Sequence, residues 1–153
     1  MNFFVQLFTN KLLMAPVCAW LIAQISKTIV HTLVNRHFLA ERLIGGGGMP
    51  SSHSATVCAL STITCLTFGP ASFEFAIASV FAIVTMYDAM NVRLETGRQG
   101  EALNDLISAF NRLTNEQVGP DKALKELIGH TPIQVLVGGL MGIGIAFAIY
   151  YWF

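Results

Sequence analysis

Long runs of apolar residues divide the chain into four segments, which are separated by one short turn and two longer polar connections. The first segment runs from about Leu12 to Val34, and the last, from about Pro132 to Phe153, contains no charged residue. A helix needs about 20 residues to cross the hydrocarbon core of a membrane, so both segments are long enough to do so. The two middle segments, about 54–68 and 73–87, are shorter. The Gly-Pro turn between them predicts that they pair as a helical hairpin.

The connection at 88–131 is rich in charged residues and has a different pattern. Its apolar residues recur every three or four positions, which predicts an amphipathic helix at a membrane face. These residues are Leu103, Leu106, Ile107, Phe110 and Leu113. Turn residues at 118–121 end this helix, and 123–128 predict a short second helix that ends at Gly129. We expect the third apolar helix to continue beyond the membrane through Asn91 and Leu94.

The composition is that of an integral membrane protein. Of the 153 residues, 54% are hydrophobic and 12% are charged, and the mean hydropathy is +0.59. A soluble domain has roughly 25% charged residues. We therefore predict an all-α membrane bundle of about four hydrophobic helices with amphipathic helices at one face, folded as a single domain over 1–153. The zero net charge argues against a nucleic-acid partner. The three cysteines match no metal motif and indicate buried apolar side chains.

The distribution of basic residues predicts the orientation of the bundle. Four crossings place the connections after the first and third spans on one side, and these connections contain seven of the nine Lys and Arg residues. The opposite side receives Lys11 alone. The positive-inside rule therefore places the two large connections in the cytoplasm. We expect the membrane to be a bacterial inner membrane or an organelle membrane.

A run of four glycines ends at Gly48 and leads into Met49-Pro50-Ser51-Ser52-His53, directly before the second apolar segment. Four consecutive glycines favour neither helix nor strand, and a serine before an apolar run is typical of a helix start. A glycine loop at a helix N-terminus favours anion binding, because free N–H groups and the helix dipole both face it. The alternative is an ordinary turn followed by an ordinary helix cap.

Gln24, Lys27 and His31 lie three and four residues apart, so they share one face of the first span. Ionisable residues inside a span are costly and usually face a functional cavity, although a lysine can instead extend toward the interface. The predicted topology brings this polar stripe to the same membrane face as His53 and His130.

Other polar residues at this face also have ordinary interpretations. His130 follows Gly129 at the mouth of the last span, where a loop or capping histidine is common. Asp88 and Arg93 are compatible with a solvated helix end in which the two charges pair.

The segment Pro50-Ser51-Ser52-His53 resembles the Pro-Ser-Gly-His signature of the type-2 phosphatidic acid phosphatase superfamily, which also includes the vanadium haloperoxidases. The wider pattern resembles its divergent bacterial and plant branch, the acid phosphatase/vanadium-dependent haloperoxidase-related membrane proteins. The matching residues extend over nearly the whole chain: Ala19-Trp20, Ala23-Gln24, Lys27, 47–55, Tyr87-Asp88-Ala89, Val92-Arg93, Gly97, Gln99, Leu103-Asn104 and Gly129-His130-Thr131-Pro132.

This resemblance implies a phosphate site that needs no metal or other cofactor. His53 matches the general acid of the second motif, and His130 matches the nucleophilic histidine of the third. The expected phosphate-binding residues are Lys27, Arg36, Ser51, Ser52 and Arg93, with Arg42 as the rival of Arg36. Asp88 and Gln134 are expected to support the site.

The chain departs from the superfamily pattern in four respects. Ser52 stands where the superfamily has glycine. Lys27 and Arg36 are nine residues apart, so Arg36 can join the site only if the helix ends or kinks near Asn35. Arg93 and His130 are separated by 37 residues, far more than usual.

The fourth departure concerns the residue four positions after His130, which is Gln134 rather than aspartate. A glutamine can orient an imidazole, but it does not stabilise imidazolium as a carboxylate does. Asp88 is a candidate to replace the missing carboxylate in space.

The resemblance implies a membrane enzyme that hydrolyses a phosphate monoester on a lipid through a phosphohistidine, with phosphatidylglycerophosphate as one candidate substrate. One alternative is an isoprenoid-diphosphate phosphatase, and another is a non-catalytic membrane protein that binds lipid phosphate. Haloperoxidase chemistry is disfavoured because it belongs to the soluble branch. Gly138 and Gly142 form a small-xxx-small face that offers a contact for another helix, and hence a route to a homo-oligomer.

Overall fold

A computed structural model describes residues 2–36, 48–114, 119, 124 and 129–153, which form six helices and no strand. The helices are α1 (Phe3–Phe8), α2 (Lys11–Asn35), α3 (Ser52–Phe68), α4 (Phe73–Met90), α5 (Val92–Thr114) and α6 (Pro132–Trp152). The all-α prediction is confirmed for this part of the chain. The short helix expected at 123–128 lies outside the described residues, as does Arg42, and the sequence pattern gave no indication of α1.

Three helical stretches are long and apolar enough to cross a membrane, namely α2, the α4–α5 stretch and α6. The fourth apolar helix, α3, has 17 residues and is therefore only about 26 Å long. It packs against α2, α4 and α6 and is the central helix of the bundle. The chain is thus an all-α membrane bundle in which the central helix is shorter than the three candidate spans.

The helices pack closely because the residues between them are small. The buried core consists largely of alanines in α2, α3 and α6. In α6, a Cβ atom at Gly138 would overlap the Ser51 backbone, and one at Gly142 would overlap the Ala55 backbone. The small-residue face that the sequence offered for pairing with another chain is therefore occupied by α3 of the same chain.

Contacts at the two ends of the bundle establish the helix directions: α2 runs antiparallel to α6, and α3 runs parallel to α6. At one end, Nζ of Lys11 donates a hydrogen bond to the carbonyl of Tyr150 at 3.2 Å. At the other end, the Ser51 N–H donates to the Gln134 carbonyl at 3.0 Å. The end of α2, the start of α3, the end of α4 and the start of α6 therefore meet at one end of the bundle, as the predicted topology required.

The junction between α4 and α5 consists of a single residue, Asn91, which caps α4 and directly precedes Val92. The predicted continuation of the third apolar helix is therefore confirmed. The amphipathic helix is also present as α5, and its apolar side chains Leu103, Leu106 and Phe110 are exposed. This helix extends from the end of the bundle at which the polar residues meet.

Candidate active site

His130 lies in the loop before α6, and its side chain is completely buried. Its Nδ1 is 3.2 Å from Oε1 of Gln134, and the same oxygen accepts a hydrogen bond from the Thr131 N–H at 3.1 Å. Because the backbone N–H can only donate, the atom facing it must be the amide oxygen, which in turn can only accept from His130. The neutral ring therefore has its proton on Nδ1 and a lone pair on Nε2. That Nε2 is buried and has no hydrogen-bond partner.

His53 lies in the first turn of α3 and faces the His130 ring. The two ring centroids are 5.6 Å apart, and the rings meet edge to face with an angle of 69° between their planes. His53 Nδ1 is also buried without a hydrogen-bond partner. Two histidines with unpaired nitrogens thus lie in contact, and imidazole is a side chain that can act as a nucleophile or as a proton donor.

The start of α3 is fixed by Ser51, which is fully buried. Its hydroxyl accepts the Ser54 N–H at 3.4 Å, and its own N–H is bonded to the Gln134 carbonyl. Ser51 is therefore a helix cap and a link to α6, which is the ordinary alternative that the sequence left open. The N–H groups of Ser52 and His53 precede the first intrahelical bond, so they are the donors that this helix end offers to an anion.

Lys27 is 3% exposed, although it lies in the apolar helix α2. Its side chain lies inside the bundle and not on its outer surface. Its aliphatic stem packs against Gly48, where a Cβ atom would lie 3.2 Å from Lys27 Cδ. Gly48 has a φ of +84°, which favours glycine over other residues. Glycine therefore suits position 48 for two reasons: the backbone has a positive φ there, and the Lys27 side chain lies close to it.

Arg93 and Asp88 form an ion pair beside the histidines. Arg93 Nε donates to Asp88 Oδ2 at 2.8 Å, and both side chains are partly exposed. Asp88, which the sequence offered as a partner for His130, is thus paired with Arg93. The partner of His130 Nδ1 is Gln134. Binding through Nε leaves the other guanidinium nitrogens able to face an anion.

The electrostatics of the site favour a neutral His130. Burial lowers the pKa of the His130 imidazole, and the positive charges of Lys27 and Arg93 lower that pKa further, while the interactions of the ring with the Gln134 side chain and the Gly48 backbone raise it. Both cations are therefore near enough to His130 to act on its charge. The same two charges would attract a phosphate to the unpaired Nε2.

Arg93 and His130 are far apart in sequence but come close in space. Two described residues after α5 lie against that helix: Gly119 is beside Ile107, and Gly129 is against the Leu94 backbone. The His130 N–H donates to the Ala89 carbonyl at 3.1 Å. The two residues that resemble the third motif therefore lie in neighbouring parts of the structure.

Asn104 links α5 to Leu124, a role that sequence reasoning missed. Its side chain accepts the Leu124 N–H at 3.0 Å and donates to the Leu124 carbonyl at 2.9 Å. An amide side chain that binds both backbone polar groups of one residue holds that residue in place. The only signal in the sequence was the presence of Leu103-Asn104 among the residues of the family resemblance.

Arg36, another of the proposed site residues, lies at the end of α2. The helix α2 does end at Asn35, and Arg36 follows it with a φ of +51°, so the condition set by the sequence is met. Its side chain is exposed. No group of three or more His, Cys, Asp or Glu residues that could hold a metal ion occurs in the described part of the chain.

Comparisons with known proteins identify the family of this chain. The sequence profile of the family described as "Divergent PAP2 family" matches residues 8–145. An "Uncharacterized membrane protein YuiD" of Bacillus subtilis (strain 168) is 40% identical over 156 residues, which cover 97% of this chain and 99% of that protein. No solved structure matches the chain. The matched region includes every residue of the candidate site.

Proposed function

This chain belongs to the divergent PAP2 family, and we propose that it is a membrane phosphatase that removes the phosphate from a lipid phosphate monoester. The observation that carries the proposal is the buried His130 ring, whose Nδ1–H is held by Gln134 and whose Nε2 is unpaired beside His53. A buried nitrogen lone pair without a partner is costly unless a ligand completes it. A phosphorus electrophile would complete it.

In the first step, the His130 Nε2 lone pair attacks phosphorus, and the bond from phosphorus to the ester oxygen breaks. Protonated His53 transfers a proton to the leaving alcohol oxygen. The products are a free alcohol and a phosphohistidine, in which Gln134 still accepts the Nδ1–H of His130.

In the second step, neutral His53 accepts a proton from water while the water oxygen attacks phosphorus. The bond from phosphorus to Nε2 breaks, and inorganic phosphate leaves. His130 returns to its neutral tautomer, and His53 regains its proton. One water is consumed for each ester that is hydrolysed.

The charge on the phosphate oxygens would be balanced by Lys27, Arg93 and the N–H groups at the start of α3. Lys27 is buried, so its charge is little screened by water. Donors that are already oriented stabilise a transition state more effectively than groups that must reorganise. Ser52 contributes its backbone N–H in this scheme, and Arg36 remains a candidate for binding the phosphate.

The site is proposed to open to the cytoplasm. The two connections at this end of the bundle contain seven of the nine basic residues, and cytoplasmic segments carry an excess of Lys and Arg. A phosphatase with this orientation would meet newly made lipid phosphates, such as phosphatidylglycerophosphate. An isoprenoid diphosphate released on the opposite leaflet would be out of reach.

A second candidate function is favoured by one observation. The residue that binds His130 Nδ1 is the neutral Gln134, which gives less support to a positively charged ring than a carboxylate does. A protein that binds lipid phosphate in this pocket without turnover would also retain Lys27, Arg93 and the open helix end.

Phosphate release from a panel of lipid phosphates, measured with purified protein in detergent, separates the two functions. We expect release from at least one monoester, and we expect EDTA to leave the rate unchanged because Lys27 and Arg93 supply the positive charge. Binding of a lipid phosphate without release would favour the non-catalytic function. Loss of activity on chelation, with recovery on addition of Mg²⁺, would contradict the histidine mechanism.

A further inference from the structure

A cavity of about 170 Å³ adjoins the candidate phosphate site. Its lining consists of Lys27, Val30, His31, Val34, Asn35, Gly48 and Met49. The five residues from α2 lie at spacings of three and four, so they form one face of the helix that runs from the buried Lys27 to the helix end. Lys27 and Gly48 line this cavity, and Lys27 is also a proposed phosphate-binding residue, so the cavity adjoins the region where phosphate would bind.

His31 is the feature of this cavity that the proposed chemistry does not use. Its Nδ1 is buried and has no hydrogen-bond partner. A buried polar atom without a partner is costly, and a polar ligand in the adjoining space would satisfy it. Asn35 lies at the rim, where its side-chain amide donates to the His31 carbonyl at 3.0 Å.

We propose that this cavity binds the leaving alcohol of the substrate, and that His31 recognises a hydroxyl group on that alcohol. The inference rests on the proposed phosphatase function and assigns its substrate class: phosphate monoesters of a polyol. A hydroxyl both donates and accepts, so it can pair with Nδ1 in either neutral tautomer of His31.

Charge favours a polyol over a second phosphate group. Lys27 is the one cation among the described residues that line the cavity, and it is already required by the phosphate that reacts. A volume of about 170 Å³ has room for a three-carbon polyol. Val30, Val34 and Met49 are exposed at the outer side of the cavity, where they can contact the apolar part of a lipid.

The test compares glycerol phosphate with propyl phosphate, which lacks the two free hydroxyls. We expect wild-type protein to have about a tenfold higher kcat/KM for glycerol phosphate, since one well-placed hydrogen bond to a neutral group contributes about this factor. His31→Leu should remove the preference, and His31→Asn should restore part of it because a carboxamide places a polar atom near the position of Nδ1. Inhibition by inorganic phosphate should be unchanged in both variants. Ile29→Ala, on the exposed side of the same helix, is the matched control.

A second comparison uses diacyl lipids in mixed micelles that carry the same two head groups. It shows whether the polyol phosphate belongs to a lipid or to a soluble ester. If the glycerol ester is preferred among both the soluble esters and the lipids, the protein recognises the head group itself. If it is preferred only among the lipids, the substrate is a membrane lipid. Equal kcat/KM for the members of both pairs in wild-type protein would overturn the proposal. The proposal would also be overturned if His31→Leu lowered kcat/KM for the glycerol and propyl esters equally and weakened inhibition by inorganic phosphate to the same extent. That result would indicate a structural role for His31.

Binding of the non-hydrolysable phosphonate analogues of the two soluble esters keeps this test separate from that of the proposed function. Calorimetry measures their dissociation constants whether or not the protein turns over substrate. Tighter binding of the glycerol analogue, lost in His31→Leu, would support the polyol site even if no phosphate were released. Equal binding of the two analogues would reject it.

Discussion

The Oε1 atom of Gln134 lies 3.2 Å from Nδ1 of His130 and simultaneously accepts the Thr131 N–H at 3.1 Å. The backbone bond fixes which end of the glutamine amide faces the histidine, and the amide oxygen then fixes the proton of the ring on Nδ1. Gln134 also accepts the Ser51 N–H through its carbonyl. One residue therefore sets the tautomer of His130 and links α6 to the start of α3.

Substitution of Gln134 tests this relationship. Gln134→Met removes the acceptor at similar size and leaves the buried Nδ1–H unpaired, which costs about 1–3 kcal/mol and corresponds to about a 5- to 150-fold loss of kcat/KM. Gln134→Glu keeps the acceptor and adds a negative charge, so it should raise the pKa of His130 and move the acidic limb of the pH–rate profile to higher pH. Ile133→Ala, at an exposed neighbouring position, is the control. Wild-type kinetics in Gln134→Met would show that the tautomer does not depend on this residue.

The two histidines should differ in their effect on a substrate that needs no acid to leave. With p-nitrophenyl phosphate, His53→Ala should still form the phosphohistidine but hydrolyse it slowly, which gives a burst of about one p-nitrophenol per protein followed by a rate at least 100-fold below wild type. His130→Ala should give no burst. Thr56→Ala, one turn beyond His53 on α3, is the control. A burst in His130→Ala would assign the nucleophile to another residue.

Arg93 should be sensitive even to a conservative change. Asp88 fixes its guanidinium through Nε, and Arg93→Lys loses the planar array of donors that faces a phosphate. We expect kcat/KM to fall by at least about tenfold, as for the loss of a hydrogen bond to a charged group. Arg98→Lys on the same helix, where Arg98 pairs with Glu95 at 3.5 Å, should have wild-type kinetics. An equal effect of the two changes would indicate a general influence of charge rather than a contact with phosphate.

The stability of the protein should depend on pH through His130. Burial lowers the pKa of this residue from its ordinary value of 6.5, so the unfolded chain binds the proton more readily than the folded one. Its contribution to the free energy of unfolding is therefore complete above about pH 6.5 and is lost as the pH falls through the lowered pKa. The apparent unfolding temperature should fall between about pH 7.5 and pH 5, and it should fall less in His130→Asn. Identical pH dependence in the two proteins would contradict the lowered pKa.

The orientation of the bundle is open to a direct test with introduced cysteines. Ser108 is exposed on α5, which extends from the end of the bundle that contains the proposed active site, and Ala71 is exposed in the turn at the other end of the bundle. If the site faces the cytoplasm, a membrane-impermeant thiol reagent should label Ala71→Cys in intact cells and should label Ser108→Cys only after permeabilisation. Wild-type protein, whose three cysteines are half-buried, provides the background. The opposite labelling pattern would place the site outside the cytoplasm.

The positions of the apolar helices and several roles in the site follow from the sequence by itself. Hydrophobic runs and the Gly-Pro turn predict α2, α3, α4 and α6, because apolar length and turn chemistry are local properties. The stripe that contains Lys27 was also visible, since helical periodicity determines which residues share a face.

Contacts between distant segments were decided only by the tertiary structure. The sequence shows Arg93 and His130 as 37 residues apart, and the structure places the His130 N–H in a hydrogen bond with the Ala89 carbonyl. The sequence likewise left Asp88 and Gln134 as alternative partners of His130, and the hydrogen bonds of Gln134 with His130 and Thr131 decided between them. The sequence does not show which helix Gly138 and Gly142 face, and the structure shows that this helix is α3. Local propensity cannot determine such pairings, because each depends on where the rest of the chain places its partner.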